Sequence, residues 1–111
     1  MPIEPGQDGF TFSLSSIKAN APAASGVYTL YNPRGYIYFG ESNDIARRLT
    51  QHLDDLDSCI NRLGATFFAF ELVPTEAARV ARQTQLIVLY QGSVQSVGEL
   101  TATPSIRPVS R

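Results

Sequence analysis

The sequence predicts a mixed α/β (α+β) domain with its elements in the order β-β-α-β-α. Three observations carry this. First, two segments rich in β-branched and aromatic residues, Val27 to Asn32 and Gly35 to Phe39, flank Pro33-Arg34-Gly35, which has Pro and Gly where a tight turn uses them. Second, from Ile45 the apolar residues change to helical spacing: Ile45, Leu49, Leu53, Leu56, Ile60. Third, Thr66 to Val73 (TFFAFELV) is a dense apolar strand, followed at Pro74-Thr75-Glu76 by the start of a long helix.

Residues 1–25 are rich in Pro, Ala, Ser and Gly and read as an N-terminal extension. Within it, Phe10-Thr11-Phe12 has the composition of a short edge strand, and Leu14 to Ala19 that of a single helical turn. Ala21 to Gly26 is a loop. The two segments after it form a β-hairpin, with Asn32 as a turn residue. Ser42-Asn43-Asp44 supplies helix-capping chemistry, and Gly64 ends the first helical region. The apolar density of TFFAFELV implies a strand covered on both faces. Glu76 places a carboxylate at the positive end of the second helix, which runs to about Tyr90 or Gln91 and stops at Gly92. Residues 26–92 therefore make up the domain. Residues 93–111 form a Ser/Thr/Val/Pro-rich tail without periodicity.

At 111 residues the chain is the size of one domain and can bury a modest core without staples. No apolar run is long enough to span a bilayer, and the first residues lack the pattern of a secretion signal. The single cysteine, Cys59, has no internal disulfide partner, and one His with one Cys excludes a structural zinc site. A reducing cytoplasm is the simplest compartment. The net charge of −1 and pI of about 5.7 contrast with the basic character of dedicated nucleic-acid binders. Yet eight of the nine basic residues are arginine, whose planar fork grips phosphate as lysine cannot. A local basic patch on an acidic body is compatible with both facts.

The chemistry-bearing residues fall in a recognisable order. Gly26-Val27-Tyr28 is followed ten residues on by Tyr38-Phe39-Gly40, then by Glu41-Ser42-Asn43-Asp44-Ile45, Arg48 and His52. This resembles the GIY-YIG nuclease signature, and the resemblance extends over residues 26 to about 90, including Leu86-Ile87 in a later helix. It implies a three-stranded antiparallel sheet flanked by helices. It also implies single-metal hydrolysis of a DNA phosphodiester, with Mg²⁺ (or Mn²⁺) as cofactor and DNA as partner. By the same resemblance Tyr28 takes the proton of the attacking water, supported by Tyr38 and His52. Arg48 holds the phosphate. Gly26, Gly40 and Ser42 support the site. The family places a metal-binding Glu three residues before the Leu-Ile pair, and here that position is Gln83.

Read on their own, these residues keep two meanings each. Tyr28 and Tyr38 come from the two strands of one hairpin and can share a sheet face, but hairpin tyrosines commonly serve packing. A phenol with a pKa near 10 is a poor base unless a cation helps it. Gly40 permits close approach to the strand end, or simply terminates it. At roughly 100° per residue, Arg48 lies about 60° and His52 about 20° from Ile45, so both edge the apolar stripe, while Arg47 points away. Arg48 reads as a phosphate ligand or a snorkelling surface arginine, and His52 as a phosphate or proton handler or a satisfied boundary histidine. Ser42 caps the helix or bonds the phosphate, with capping preferred. Arg79 and Arg82 extend a phosphate-binding surface or form a solvated face, with the latter preferred.

Gln83 lies about 40° from Ile87 and about 60° from Val80, at the border of the inward face, where a polar side chain needs partners. An amide keeps the shape of a carboxylate and loses its charge, so Mg²⁺ affinity falls while phosphate binding survives. A natural replacement and an engineered isostere both fit. Glu76 shares the helix face but lies two turns earlier, and Glu41 stands where many relatives carry Lys. Two rivals to the endonuclease reading follow: a non-catalytic relative that binds DNA or a protein, and an α/β interaction module with a chance motif. A homodimer is compatible with cutting two strands, but no residue demands one.

Overall fold

The computed structural model describes residues 9–55 and 58–90. At its centre is the hairpin of β2 (Gly26–Asn32) and β3 (Gly35–Ser42). Asn32 sets its turn by accepting the Arg34 N–H at 2.8 Å. Its own amide donates to the carbonyls of Leu63 and Gly64 at 3.1 and 3.3 Å, tying the hairpin tip to a distant loop. Gly35 has φ 144, a conformation that favours glycine. Tyr28 stands opposite Gly40 and Leu30 opposite Tyr38, and a bulge between Leu30 and Tyr31 shifts the register beyond that point.

The sheet has four antiparallel strands, not three, in the order β1-β4-β2-β3. The strand TFFAFELV is β4 (Phe67–Leu72), paired with β2 along its whole length. The added strand is β1 (Phe10–Thr11), joined to β4 at Phe68 and Phe67. Aromatic contact holds it there. The Phe10 ring lies 5.4 Å from Phe68 and 6.0 Å from Phe70, and Phe12 N–H donates to the Thr66 carbonyl at 2.8 Å. The expected helical turn is a seven-residue helix, α1 (Leu14–Asn20), started by Ser13, whose hydroxyl accepts the Ser16 N–H.

Alternation along β2 sends side chains into two cores. Tyr28 and Leu30 join Ile17, Ile45, Leu49, Ile60 and Phe68 on one face, under α1, α2 (Ile45–Asp54) and α3 (Cys59–Arg62). Val27 and Tyr31 join Phe39, Ala69 and Leu86 on the other, under α4 (Glu76–Tyr90). All seven residues of β2 are buried, and the polar Thr29 among them donates its hydroxyl to the Tyr38 carbonyl at 3.0 Å.

The helical region from Ile45 does not continue to Gly64 as its apolar spacing predicts. α2 ends at Asp54, and α3 begins after it at Cys59. Two acidic residues, Asp54 and Asp55, sit at the negative end of the α2 dipole, and Asn61 satisfies the released carbonyls. Its amide donates to the carbonyls of His52 at 2.9 Å and Asp55 at 2.7 Å. At the other end Asp44 is the cap, accepting the Arg47 N–H at 3.0 Å. Thr75 starts α4 by accepting the Ala78 N–H at 3.2 Å. The expected stop at Gly92, the tail and residues 1–8 lie outside the described residues. Among those described, no helix is long and apolar enough to cross a membrane.

Candidate active site

β3 is an edge strand, and α2 and α4 approach its free side from opposite faces of the sheet. Between them opens a cleft of about 470 Å³, large enough for a nucleotide-sized ligand. Tyr38, Ser42, Arg48 and Gln83, four of the residues singled out by sequence, line it. So do Glu41, Asn43, Arg47, Gln51, Glu76 and Arg79.

Tyr28 and His52 are not in the cleft wall but one layer below it. Tyr28 is fully buried and its hydroxyl lies 2.7 Å from His52 Nε2. Its ring covers Gly40, where an added Cβ would collide with it. The close approach that glycine permits at this strand end is therefore to an intramolecular ring. The Tyr38 ring bridges this layer to the cleft, with its centroid 6.2 Å from Tyr28 and 5.2 Å from His52. Gly26 sits at the end of the central strand, opposite Ser42 and Leu72, where a Cβ would run into the Glu71 backbone.

The electrostatics of this layer follow from burial. Desolvation pushes the Tyr28 phenol well above its ordinary pKa, and the neighbouring Tyr38 adds to this. The charge of the nearby Arg48 guanidinium opposes it. Burial, reinforced by Arg48, drives His52 down to about 3. Near neutral pH the pair is thus a neutral phenol beside a neutral imidazole. The phenol donates to Nε2 in the tautomer that carries the imidazole proton on Nδ1. The arrangement gives an attacking water no direct access to Tyr28.

Several side chains differ from their sequence reading. Ser42 does not cap α2. Its hydroxyl closes a local turn on Asp44, accepting that residue's N–H at 2.9 Å, and Asp44 takes the cap. Arg47 does not point away: its guanidinium reaches back to Asn43 Oδ1 at 3.5 Å and lines the cleft. Arg79 is not a solvated residue. Its side chain is 12% exposed and bonds Glu41 at 2.9 Å and Ser25 at 2.9 Å. Its position four residues before Gln83, on the same face of α4, was the available signal. Arg82 pairs with Glu71 at 2.7 Å, outside the cleft lining.

Gln83 is 6% exposed and donates from Nε2 to the Phe39 carbonyl at 3.1 Å. An ionised carboxylate could not make that bond. The cleft carboxylate Glu41 is held by Arg79, and Glu76 is exposed. Among the described residues no three His, Cys, Asp or Glu side chains converge as metal ligands. A divalent cation therefore does not fit the donors that this chain presents at position 83.

The profile of the GIY-YIG catalytic domain matches residues 24–91, more than half of the chain. Solved structures of the GIY-YIG N-terminal endonuclease domain of UvrC from Thermotoga maritima share this fold. The form bound to magnesium as its catalytic divalent cation is 26% identical, with a TM-score of 0.59, and covers 68% of this chain and 90% of that one. A tyrosine-to-phenylalanine point mutant of the same domain, bound to its catalytic divalent cation, matches with a TM-score of 0.58 at 26% identity, over 68% and 89%. Comparison with the curated proteins gives no match.

Proposed function

This chain belongs to the GIY-YIG family, and from that premise we propose that its cleft receives one phosphodiester of DNA, with the hydrolysis of an endonuclease strongly weakened by Gln83. The observation that carries the reading is the joining of Arg48 to both layers of the site. It lines the cleft, where its fork can hold the phosphate oxygens and offset charge that develops on them. Its charge also acts on the Tyr28 phenol that rests on His52. Tyr38 is the tyrosine at the cleft surface, placed to meet the phosphate or the attacking water. Tyr28 and His52 hold it from below. In the Thermotoga maritima relative a divalent cation is part of the site. Here the amide at position 83 limits its binding, and Mg²⁺ or Mn²⁺ is the cofactor that a carboxylate there would recruit.

The test is plasmid nicking by purified full-length protein. Gln83→Glu in Mg²⁺ or Mn²⁺ is expected to raise nicking at least about tenfold over the unmodified chain, the effect of adding one charged ligand. Arg48→Ala in that background is expected to abolish it. If Gln83→Glu cleaves no DNA with either metal, the nuclease reading fails.

One observation favours a second reading, a non-cleaving DNA-binding relative. The Gln83 amide is engaged with the Phe39 carbonyl, a structural use that suits the amide itself. Salt-dependent DNA retention without nicking, in both forms, is its expected result.

A further inference from the structure

We infer that the cleft is charged to hold a phosphodiester without a divalent cation, Arg79 supplying the positive charge that a cation at position 83 would otherwise bring. This rests on the phosphodiester reading of the cleft and specifies how that site binds. Arg79 and Gln83 are four residues apart on α4 and both line the cleft, so a guanidinium lies one helical turn from the amide. The guanidinium is fixed rather than floating. Nε donates to Glu41 at 2.9 Å and Nη1 to Ser25 Oγ at 2.9 Å. Ser25 is itself oriented by donating to the Val73 carbonyl at 2.5 Å. Nη2, with two further N–H donors, has no partner among the described residues. A guanidinium pinned through two of its nitrogens, with donors left on the third, is pre-organised for an oxyanion.

The charge balance of the wall agrees. Three arginines (Arg47, Arg48, Arg79) stand against two glutamates (Glu41, Glu76), which leaves one net positive charge. A phosphodiester carries one negative charge, so the occupied cleft is neutral with no cation present. With Glu at 83 the same wall would be neutral when empty, and an anion would need a cation to enter. Gln83 and Arg79 therefore act together. The amide removes the carboxylate that would compete with phosphate for the guanidinium, and meets its own hydrogen-bonding need at Phe39. Glu41 limits the strength of the site by sharing Arg79 with the ligand.

The experiment is fluorescence anisotropy of a short labelled DNA duplex with the full chain, in EDTA and in Mg²⁺, at matched ionic strength. The unmodified protein is expected to bind with affinities within about twofold of each other in the two buffers, since few phosphate contacts are involved. Arg79→Gln is expected to weaken binding in EDTA about tenfold or more, the effect of losing a charged hydrogen-bond donor. Glu41→Gln, which leaves Arg79 in place, is expected to tighten it. Gln83→Glu is expected to weaken binding in EDTA and to regain it in Mg²⁺. Binding by the unmodified chain that EDTA abolishes overturns the inference, as does Glu41→Gln that loosens binding, while leaving the phosphodiester reading intact. Absence of DNA binding in either buffer, with Arg48→Ala indistinguishable from the parent, removes the phosphodiester reading itself.

Discussion

His52 behaves very differently from the free amino acid. It is 8% exposed, bonded to Tyr28 and lowered to about 3 by burial and Arg48. An unfolded chain takes up the proton near 6.5. Between those values the unfolded state binds more protons, so this contribution to stability is complete above pH 6.5 and is lost as pH falls toward 3. The loss amounts to roughly 1 kcal/mol per pH unit. Urea unfolding of the parent and of His52→Gln at pH 7, 5.5 and 4.5 measures it. The gap between the two proteins should narrow on acidification, whereas parallel pH curves would show that His52 titrates normally. At this scale the sequence was informative about identity and less so about depth. Tyr28, Tyr38, Arg48, His52 and Gln83 do gather at one end of the sheet, but spacing alone could not say that Tyr28 and His52 lie beneath the cleft. That depends on how far the Tyr28 ring extends over Gly40, a tertiary distance. Arg47 was misread because helical phase describes where a side chain leaves the backbone, and a long guanidinium folds back across its own turn.

The elements were legible where one periodicity ran unopposed. The hairpin, β4 and α4 follow directly from alternation, apolar density and capping. The break after α2 was not visible, because Leu53, Leu56 and Ile60 continue the helical spacing in sequence although α2 ends at Asp54 and α3 starts anew at Cys59. What overrides the pattern is a side chain: Asn61 serves two carbonyls at the end of α2. Asn61→Ala should therefore destabilise the protein by about 1–3 kcal/mol, since it leaves part-buried acceptors unmatched. Differential scanning calorimetry would register this as a lower Tm, and hydrogen exchange as faster exchange confined to α2 and α3. An unchanged melting curve would mean that some other contact ends the helix. The fourth strand was readable only as a fragment. β1 is two residues long, and its place depends on Phe10 meeting Phe68 and Phe70, a contact that no local pattern encodes.

Over the whole molecule, the acidic balance and the basic cleft make distinguishable statements. The chain carries a net charge of −1, so long-range attraction for DNA is weak, and binding rests on the arginines of one cleft. Log K against log salt should accordingly be shallow, with a slope of about −1 to −3 for one to three phosphate contacts on duplex DNA. A titration from 50 to 200 mM salt would measure it, and a much steeper slope would mean a larger basic surface elsewhere. The sheet has a consequence at this scale too. Of its two outer strands, β1 offers only two residues of ladder, and β3 is flanked by helices, with Gln83 occupying one of its carbonyls. Neither border is a template on which a neighbouring copy could add a strand, so this architecture resists the backbone-to-backbone polymerisation to which small open sheets are prone. Self-association would have to begin from side chains, and the exposed Val88 and Leu89 of α4 are the ones within the described residues best placed to start it.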